Sequence, residues 1–344
     1  MNEKVKGSLK PLAESLLAVF IGFFLGAIIL LAFGYSPFEA YYWLLRGSLG
    51  STSGIASTLS YATPIMLTAL TFAISARTGI FNIGAEGSVY FGAIAAIIFT
   101  NIYGNVLFGL LMGMLVGAMW GLPAAFLKVF RGVHEVISTI MLNWIAWYAV
   151  LYLVTGPYAN PSDPNKTILV PESARLPLLG GSNLSVGFIL AIVASIIVYY
   201  ILWHTELGFG MRASGMNPKG AEYGGIDPKK AIIWSFVIGG FASGLAGAVE
   251  VMGRPPTYAI SQGMANINGY GFDGIGVALV GRNHPLGIIF AAMFFGMLRA
   301  GTTMMQIGAG VPLEIIYVIQ GIIVVAVAIP GLIDIFKNLR RVRA

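Results

Sequence analysis

Long apolar runs without charged residues recur along the chain and constrain its fold more than any other feature. The first run, Leu16 to Phe33, has 18 residues, none of them charged, and follows three lysines. A helix needs roughly 20 apolar residues to cross a bilayer, so 344 residues allow about ten such helices. The predicted spans are Leu16–Phe33, Gly54–Ser75, Phe81–Thr100, Val106–Leu127, Val136–Val154, Val186–Trp203, Ala231–Val251, Gly271–Val280, Leu286–Leu298 and Leu313–Ile329.

The composition excludes a water-soluble globule and a transmembrane barrel. Charged residues make up 10% of the chain and hydrophobic residues 57%, whereas soluble domains are about 25% charged. Barrel strands alternate apolar and polar residues, and these runs do not. We therefore predict an all-α integral membrane protein, a polytopic bundle of about ten helices with some spans short or broken around Phe81 and Gly271.

The basic residues indicate an orientation. The net charge is +6, but Lys and Arg lie in short connectors instead of on one folded face, so no nucleic-acid partner is expected. If the N-terminus is cytoplasmic, about three quarters of the Lys and Arg residues fall on the inner side, as the positive-inside rule requires. Both termini are then predicted in the cytoplasm, with the lipid bilayer as the chain's immediate surroundings.

The longest external connector, Gly156 to Leu184, contains five prolines and two consecutive glycines. Such a segment is not helical. Its position makes it a candidate docking surface for an external partner. A solvated linker is the alternative interpretation.

Small residues recur at helical spacing and predict a dense bundle. One stripe is Gly109, Gly113, Gly117 and Gly121, and two more lie in the Ala231–Val251 span. They favour generic close packing over a gating role. The second to fifth and seventh to tenth spans would be related by inversion across the membrane, the arrangement of many transporters.

Charged residues inside the bilayer cost at least ~3 kcal/mol on insertion scales, so each needs a partner, water or a function. The candidates for such residues, within or next to the predicted spans, are Glu86, Glu135, Glu250, Asp273, Arg299 and Glu314. Candidate residues of a translocation pathway are Asn82, Glu86, Asn143, Asp273 and Arg299.

Local roles are the alternative for several of these candidates. Asn82 would be a helix N-cap with Glu86 in the first turn, or Glu86 would pair with Arg77. Asp273 would also cap a helix. Arg299 would snorkel from the outer end of its span.

A catalytic role finds no support in the residues. The chain has three histidines and no cysteine, which excludes thiolate nucleophiles and cysteine-bound metals. No phosphate-binding loop with Lys-Ser/Thr occurs. We expect no metal and no cofactor on this chain, and any use of ATP must come from a partner.

The connector from Thr205 to Lys230 predicts a short cytoplasmic helix. Asn217 and Pro218 form an N-cap and first-turn pair, and glycines follow Tyr223, so a helix is expected over Pro218–Tyr223. It would form a rigid knob. An ordinary well-capped loop is the alternative.

Four stretches resemble the permease subunits of bacterial and archaeal ABC importers of the branched-chain amino acid, ribose and simple-sugar type. The first is the coupling-helix region, Arg212 to Pro218 with Glu222 and Gly225-Ile226. The others are Thr78–Gly87, His134–Asn143 and Gly269–Pro285. The last two stretches are most similar to the nucleoside-importing branch, whose external component is a lipoprotein.

The resemblance implies one permease domain over residues 1–344, with a coupling loop at 204–230, in the cytoplasmic membrane of a prokaryote. It implies a second related permease, ABC ATPase subunits that use ATP and Mg, and an external binding lipoprotein. The implied ATPase-coupling residues are Arg212, Asn217, Pro218, Glu222 and Gly225.

The expected function is inward transport of a nucleoside, without ATPase activity in this chain. A simple sugar is the alternative substrate, and a branched-chain amino acid is further from the pattern. A secondary transporter driven by ions through Glu86 and Asp273 is another class, and a membrane enzyme a third.

Overall fold

The computed structural model describes residues 19–328. The two chain termini, predicted to be cytoplasmic, lie outside this range. Residues 16–18 of the first predicted span and residue 329 of the last also lie outside it. The helices are α1 (Val19–Ala32), α2 (Pro37–Leu49), α3 (Thr52–Arg77), α4 (Ala85–Tyr103), α5 (Val106–Arg131), α6 (Glu135–Thr155), α7 (Gly187–His204), α8 (Glu206–Met216), α9 (Pro218–Tyr223), α10 (Pro228–Gly253), α11 (Tyr270–Val280), α12 (Pro285–Ala309) and α13 (Leu313–Ala328).

The apolar helices confirm the predicted all-α membrane fold. Within residues 19–328, seven helices are long and apolar enough to cross a bilayer, and α1, α11 and α13 are shorter apolar helices. Together they correspond to the ten predicted spans. The α11 helix begins and ends inside a region of apolar sequence, which makes it the short helix expected around Gly271.

The chain divides into two compact units. The larger unit is Ile55–Met297, and the smaller comprises Met1–Gly54 and Leu298–Ala344. In the described part of the smaller unit, the Tyr41 hydroxyl donates to the Phe23 carbonyl at 2.7 Å. The single permease domain over residues 1–344 stays a prediction.

Two features of the smaller unit differ from the sequence prediction. The α2 helix, which is not among the predicted elements, starts with Ser36 as N-cap, whose hydroxyl accepts from the Glu39 N–H. The α12 helix continues to Ala309, beyond the predicted end at Leu298. Its later residues include Thr302, whose hydroxyl donates to the Leu298 carbonyl at 2.9 Å. The bond satisfies the Thr302 hydroxyl inside the helix. Such polar residues lower the hydropathy after Leu298, which is why the predicted span ends there.

Three helices at the centre of the larger unit pack closely through glycines. The α5 and α10 helices approach until a Cβ on Gly117 would lie 2.5 Å from the Gly244 Cα, and one on Gly240 2.6 Å from the Ala118 Cα. A Cβ on Gly113 would lie 2.7 Å from the Ala248 Cβ. The α4 helix packs against both. The predicted packing role of the stripes is confirmed, because any larger residue would push the helices apart.

The α6–α7 connector has no α-helix, as predicted, but it is not a solvated linker. It contains strands β1 (Ala159–Asn160) and β2 (Asp163–Thr167), which pair antiparallel, and a 3-10 turn at Glu172–Ala174. Its Thr167 N–H donates to the Ile260 carbonyl at 3.0 Å and its Val170 N–H to the Tyr258 carbonyl at 2.9 Å. The connector is therefore packed onto the segment that precedes α11.

Candidate functional site

A non-helical break separates α3 from α4, in the Thr78–Gly87 stretch. The α4 helix begins at Ala85 with Gly84 as its N-cap, so the prediction of Asn82 as N-cap is wrong. Asn82 instead accepts the Gly84 N–H at 2.8 Å through its side-chain oxygen and donates to the Ser75 hydroxyl at 3.3 Å. An Asx turn therefore precedes the helix.

Glu86 closes the N-terminus of a second helix, distant in sequence. The backbone N–H groups of Gly269 and Gly271, at the start of α11, donate to its two carboxylate oxygens. The Tyr90 hydroxyl lies 2.7 Å from the same carboxylate. Because a helix N-terminus has unsatisfied donors and a partial positive charge, this buried carboxylate is stabilised where it lies.

A second buried carboxylate, on another helix, also contacts the first residue of α11. Glu250 of α10 forms an ion pair with Arg254 and accepts the Tyr270 hydroxyl at 3.2 Å. Arg254 also donates to the Ser60 carbonyl at 3.2 Å and lies 4.2 Å from the centre of the Tyr61 ring. The start of α11 is thus held between two acidic residues on different helices.

Next to the Glu86 carboxylate lies a cavity of about 140 Å³, which we call the aromatic cavity. Its lining residues are Glu86, Tyr90, Ile140, Asn143, Trp144, Trp147, Asn268 and Phe272. They come from α4, α6 and the start of α11. Ends of broken helices beside a cavity are where transporters place their solute sites.

The structure brings together two of the five predicted pathway residues. Glu86 and Asn143 both line the aromatic cavity. Asn82 lines a separate void of about 10 Å³ beside Trp120. Asp273 lies in the first turn of α11, but the N-cap of that helix is Gly269, without a side-chain hydrogen bond, so the prediction that Asp273 caps the helix is not confirmed.

Arg299 lies in the smaller unit, in the middle of α12. Its predicted place at the outer end of the span is wrong, because the helix continues ten residues past it to Ala309. The snorkelling of its side chain stays a prediction.

Sequence reasoning did not single out Tyr90, Asn268 and the two tryptophans of α6. Tyr90 lies one helical turn after Glu86, a spacing that places both side chains on one face and could have identified it. No local pattern indicates Asn268, which comes to Tyr90 from 178 residues away.

The short helix predicted between Thr205 and Lys230 has the predicted bounds, and we call it, with its flanking residues Met216 and Asn217, the knob. The α9 helix spans Pro218–Tyr223, and the Asn217 side chain accepts the Gly220 N–H at 3.0 Å. Ala221 is its buried residue. Met216 is 89% and Tyr223 98% exposed, which leaves two large apolar side chains uncovered beside the exposed Glu222.

Arg212 lies behind the knob, on α8, where it packs inside the larger unit. Its guanidinium and that of Arg77 lie 5.6 and 5.4 Å from the same Trp203 ring. Arg77 also donates to the carbonyls of Arg282 and Asn283, in the turn between α11 and α12. These contacts join α8 to the last residues of α3 and α7 and to the turn before α12.

Two further observations concern a titratable side chain and metal binding. Burial, and then the charge of Arg77, lowers the pKa of His284, and the centre of its imidazole ring lies 4.7 Å from the centre of the Trp203 ring. In residues 19–328 no group of three His, Cys, Asp or Glu side chains is arranged to hold a metal ion.

A broken helix beside an aromatic cavity, within a bundle of apolar helices, is an arrangement found in membrane transport proteins. The family model described as "Branched-chain amino acid transport system / permease component" matches residues 54–328. The chain belongs to this family and is a membrane-embedded permease component.

Named relatives cover nearly the whole chain. The nucleoside ABC transporter permease protein NupB of Lactococcus lactis subsp. cremoris is 36% identical, over 97% of this chain and 94% of its own length. The guanosine ABC transporter permease protein NupP of Bacillus subtilis is 35% identical, over 93% and 94%. A glucose ABC transporter permease protein of Haloferax volcanii is 29% identical, over 90% and 84%. No solved structure matches the chain significantly.

Proposed function

We propose that this chain is the permease subunit of an ATP-driven importer of nucleosides. The observation that carries the proposal is the similarity to nucleoside and guanosine permeases along nearly the full length of all three chains. The aromatic cavity supports it, because aromatic rings and amides are the groups that stack on and hydrogen-bond to nucleobases.

The working transporter contains further subunits. A second, related permease completes the pathway, as the pair of guanosine permeases named in Bacillus subtilis suggests. ABC ATPases bind and hydrolyse ATP with Mg, and an external binding lipoprotein delivers the nucleoside. Both termini lie in the cytoplasm, on the side of the ATPases.

The knob receives the ATPase movement. Met216 and Tyr223 are almost fully exposed, and two such apolar side chains on a short capped helix suit a cleft on another protein. Asn217, Pro218 and Gly225 fix the shape of this helix, Glu222 adds a charge on its surface, and Arg212 anchors it to the bundle. The helices then move as rigid bodies.

A simple sugar is the second candidate substrate. The glucose permease of Haloferax volcanii matches 90% of this chain. The sugar part of a nucleoside and a free sugar share hydroxyl chemistry, so the base is what distinguishes the two proposals.

Uptake by the complete transporter in proteoliposomes tests the proposal. With ATP enclosed at the ATPase side and binding lipoprotein outside, labelled guanosine should accumulate, and excess unlabelled glucose should not reduce that uptake. Guanosine uptake that needs an ion gradient and no ATPase would contradict the proposal in favour of a secondary transporter through Glu86 and Asp273. Uptake of glucose without guanosine would favour the sugar.

A further inference from the structure

We propose that the aromatic cavity binds the base of a nucleoside and excludes nucleotides. This inference rests on the proposed function and adds where the substrate sits, which part of it is recognised, and which related solutes are rejected.

The aromatic rings supply the stacking surfaces. Trp144 is 56% and Phe272 53% exposed, although both adjoin the buried Glu86 cluster. Tyr90 and Trp147 meet edge to face with ring centres 5.6 Å apart, which fixes the orientation of Trp147. Uncovered aromatic rings around a concave site hold heterocyclic bases by stacking.

The polar groups of the aromatic cavity are nearly all engaged within the protein. Asn143 accepts the Gly87 N–H and donates to the Ile83 carbonyl, each at 2.9 Å. Glu86 is occupied by two backbone N–H groups and Tyr90. These side chains therefore shape the wall and are not the groups that read the substrate.

Asn268 is the exception. Its side-chain oxygen lies 2.9 Å from the Tyr90 hydroxyl, whose one proton also faces the Glu86 carboxylate at 2.7 Å, so this contact leaves most of the hydrogen-bonding capacity of the amide unused. Asn268 is exposed and lines the aromatic cavity. Its amide is placed to exchange hydrogen bonds with the edge of a base.

The charges of the aromatic cavity disfavour a phosphate. Its lining in the described part of the chain contains one carboxylate and no Lys or Arg. The nearby helix N-terminus, a usual anion site, is already occupied by Glu86. A nucleotide would bring a second negative charge near Glu86 with no cation to offset it.

The volume limits how much of the solute enters. About 140 Å³ is below the roughly 300–1,000 Å³ typical of small-molecule sites. The cavity therefore takes the base, while the ribose stays at the open side.

Photolabelling of the assembled transporter tests the inference directly. Irradiation with 8-azidoguanosine, without binding lipoprotein, should label peptides containing Asn143 to Trp147 or Asn268 to Phe272. Excess guanosine should remove the label, and guanosine monophosphate should be about tenfold weaker. Label on other segments, or equal competition by the nucleotide, would overturn the inference.

Variants of α6 separate stacking from general damage. Trp144→Ala should reduce both the labelling and the guanosine uptake rate about tenfold, and Trp144→Phe should restore most of both because it retains a ring. Tyr152→Ala is the matched control, since Tyr152 is 69% exposed on the same helix but does not line the cavity.

The outcomes separate the two claims. If unaltered transporter takes up guanosine with ATP but Trp144→Ala behaves as wild type, the base site is wrong and the proposed function stands. Absence of any ATP-driven guanosine uptake would refute the proposed function and the base site together.

Discussion

The helices α11 and α9, the helix of the knob, are both short and sharply bounded, but they are stabilised in opposite ways. At the start of α11 the backbone donors of Gly269 and Gly271 are satisfied by a buried carboxylate from another helix. In the knob the cap is local, from Asn217 to Gly220, and Ala221 is the buried residue of α9. The start of α11 is held by side chains of other helices, whereas α9 is exposed apart from Ala221.

This difference separates two tasks. A helix end that is held by side chains from several helices keeps a solute site in shape, since each contact restricts the others. A helix with uncovered apolar side chains gains its full contacts only when another protein covers it. Under the proposed function, substrate recognition and energy coupling therefore depend on different residues.

A short physical connection joins the two regions. Gly215, at the end of α8, packs so closely on the α3–α4 break that a Cβ there would lie 2.9 Å from the Gly79 nitrogen. Glu86 follows Gly79 by seven residues. Under the proposed function, this contact would transmit movement of the knob to the break that precedes α4 and its Glu86 carboxylate.

The largest effect is expected from Gly271→Val. A Cβ at this position would lie 2.5 Å from the Glu86 nitrogen and 2.6 Å from its Oε2 atom, so the helix start must move away from its cap. We expect little or no folded permease, measured as the yield of monodisperse protein by size-exclusion chromatography. Wild-type yield would contradict the close packing at this point.

The matched change in the knob is Gly220→Ala. Its Cβ would meet only Asn217, at 3.2 Å, and alanine favours a helix by up to about 1 kcal/mol over glycine. Yield and transport should remain near wild type. A loss as severe as that of Gly271→Val would remove the contrast between the two regions.

Glu86→Ala is expected to have a smaller effect than Gly271→Val. Removing the carboxylate leaves two backbone donors at the start of α11 without an acceptor, each costing about 1–3 kcal/mol. Thermal unfolding followed in detergent should shift to lower temperature, and Glu86→Gln should lose less because it keeps one acceptor oxygen.

Uptake assays then decide between a structural and an ion-carrying Glu86. ATP-driven uptake by folded Glu86→Gln should persist at a reduced rate. If Glu86→Gln is as stable as wild type but transports nothing, the carboxylate acts on the solute or an ion and not as a helix cap.

Features encoded by local sequence could be predicted. The apolar runs locate the spans, and Asn217-Pro218 followed by glycines gives both ends of the knob helix. The Ser36-x-x-Glu39 pattern marks the start of α2 equally well. The α2 helix was nevertheless not predicted, because polar and aromatic residues follow this pattern instead of a long apolar run.

Features that depend on distant contacts could not be predicted. Glu86 was a candidate, but its bond to Gly269 joins residues 183 positions apart. Asn268 looks like any loop asparagine until Tyr90 is beside it. The α6–α7 connector likewise owes its folded state to Tyr258 and Ile260, which no pattern within the connector reveals.

The central claim is that recognition and coupling are carried by different regions, and it is tested by measuring uptake and ATP hydrolysis on the same proteoliposomes. Tyr223 is 98% exposed, so Tyr223→Ala should fold normally and lose most of its guanosine-stimulated ATP hydrolysis and uptake, while 8-azidoguanosine labelling stays at the wild-type level. Trp144→Ala should lose labelling while its basal ATP hydrolysis stays unchanged. If both variants lose labelling and hydrolysis to the same extent, the two regions are not separate and the account is contradicted.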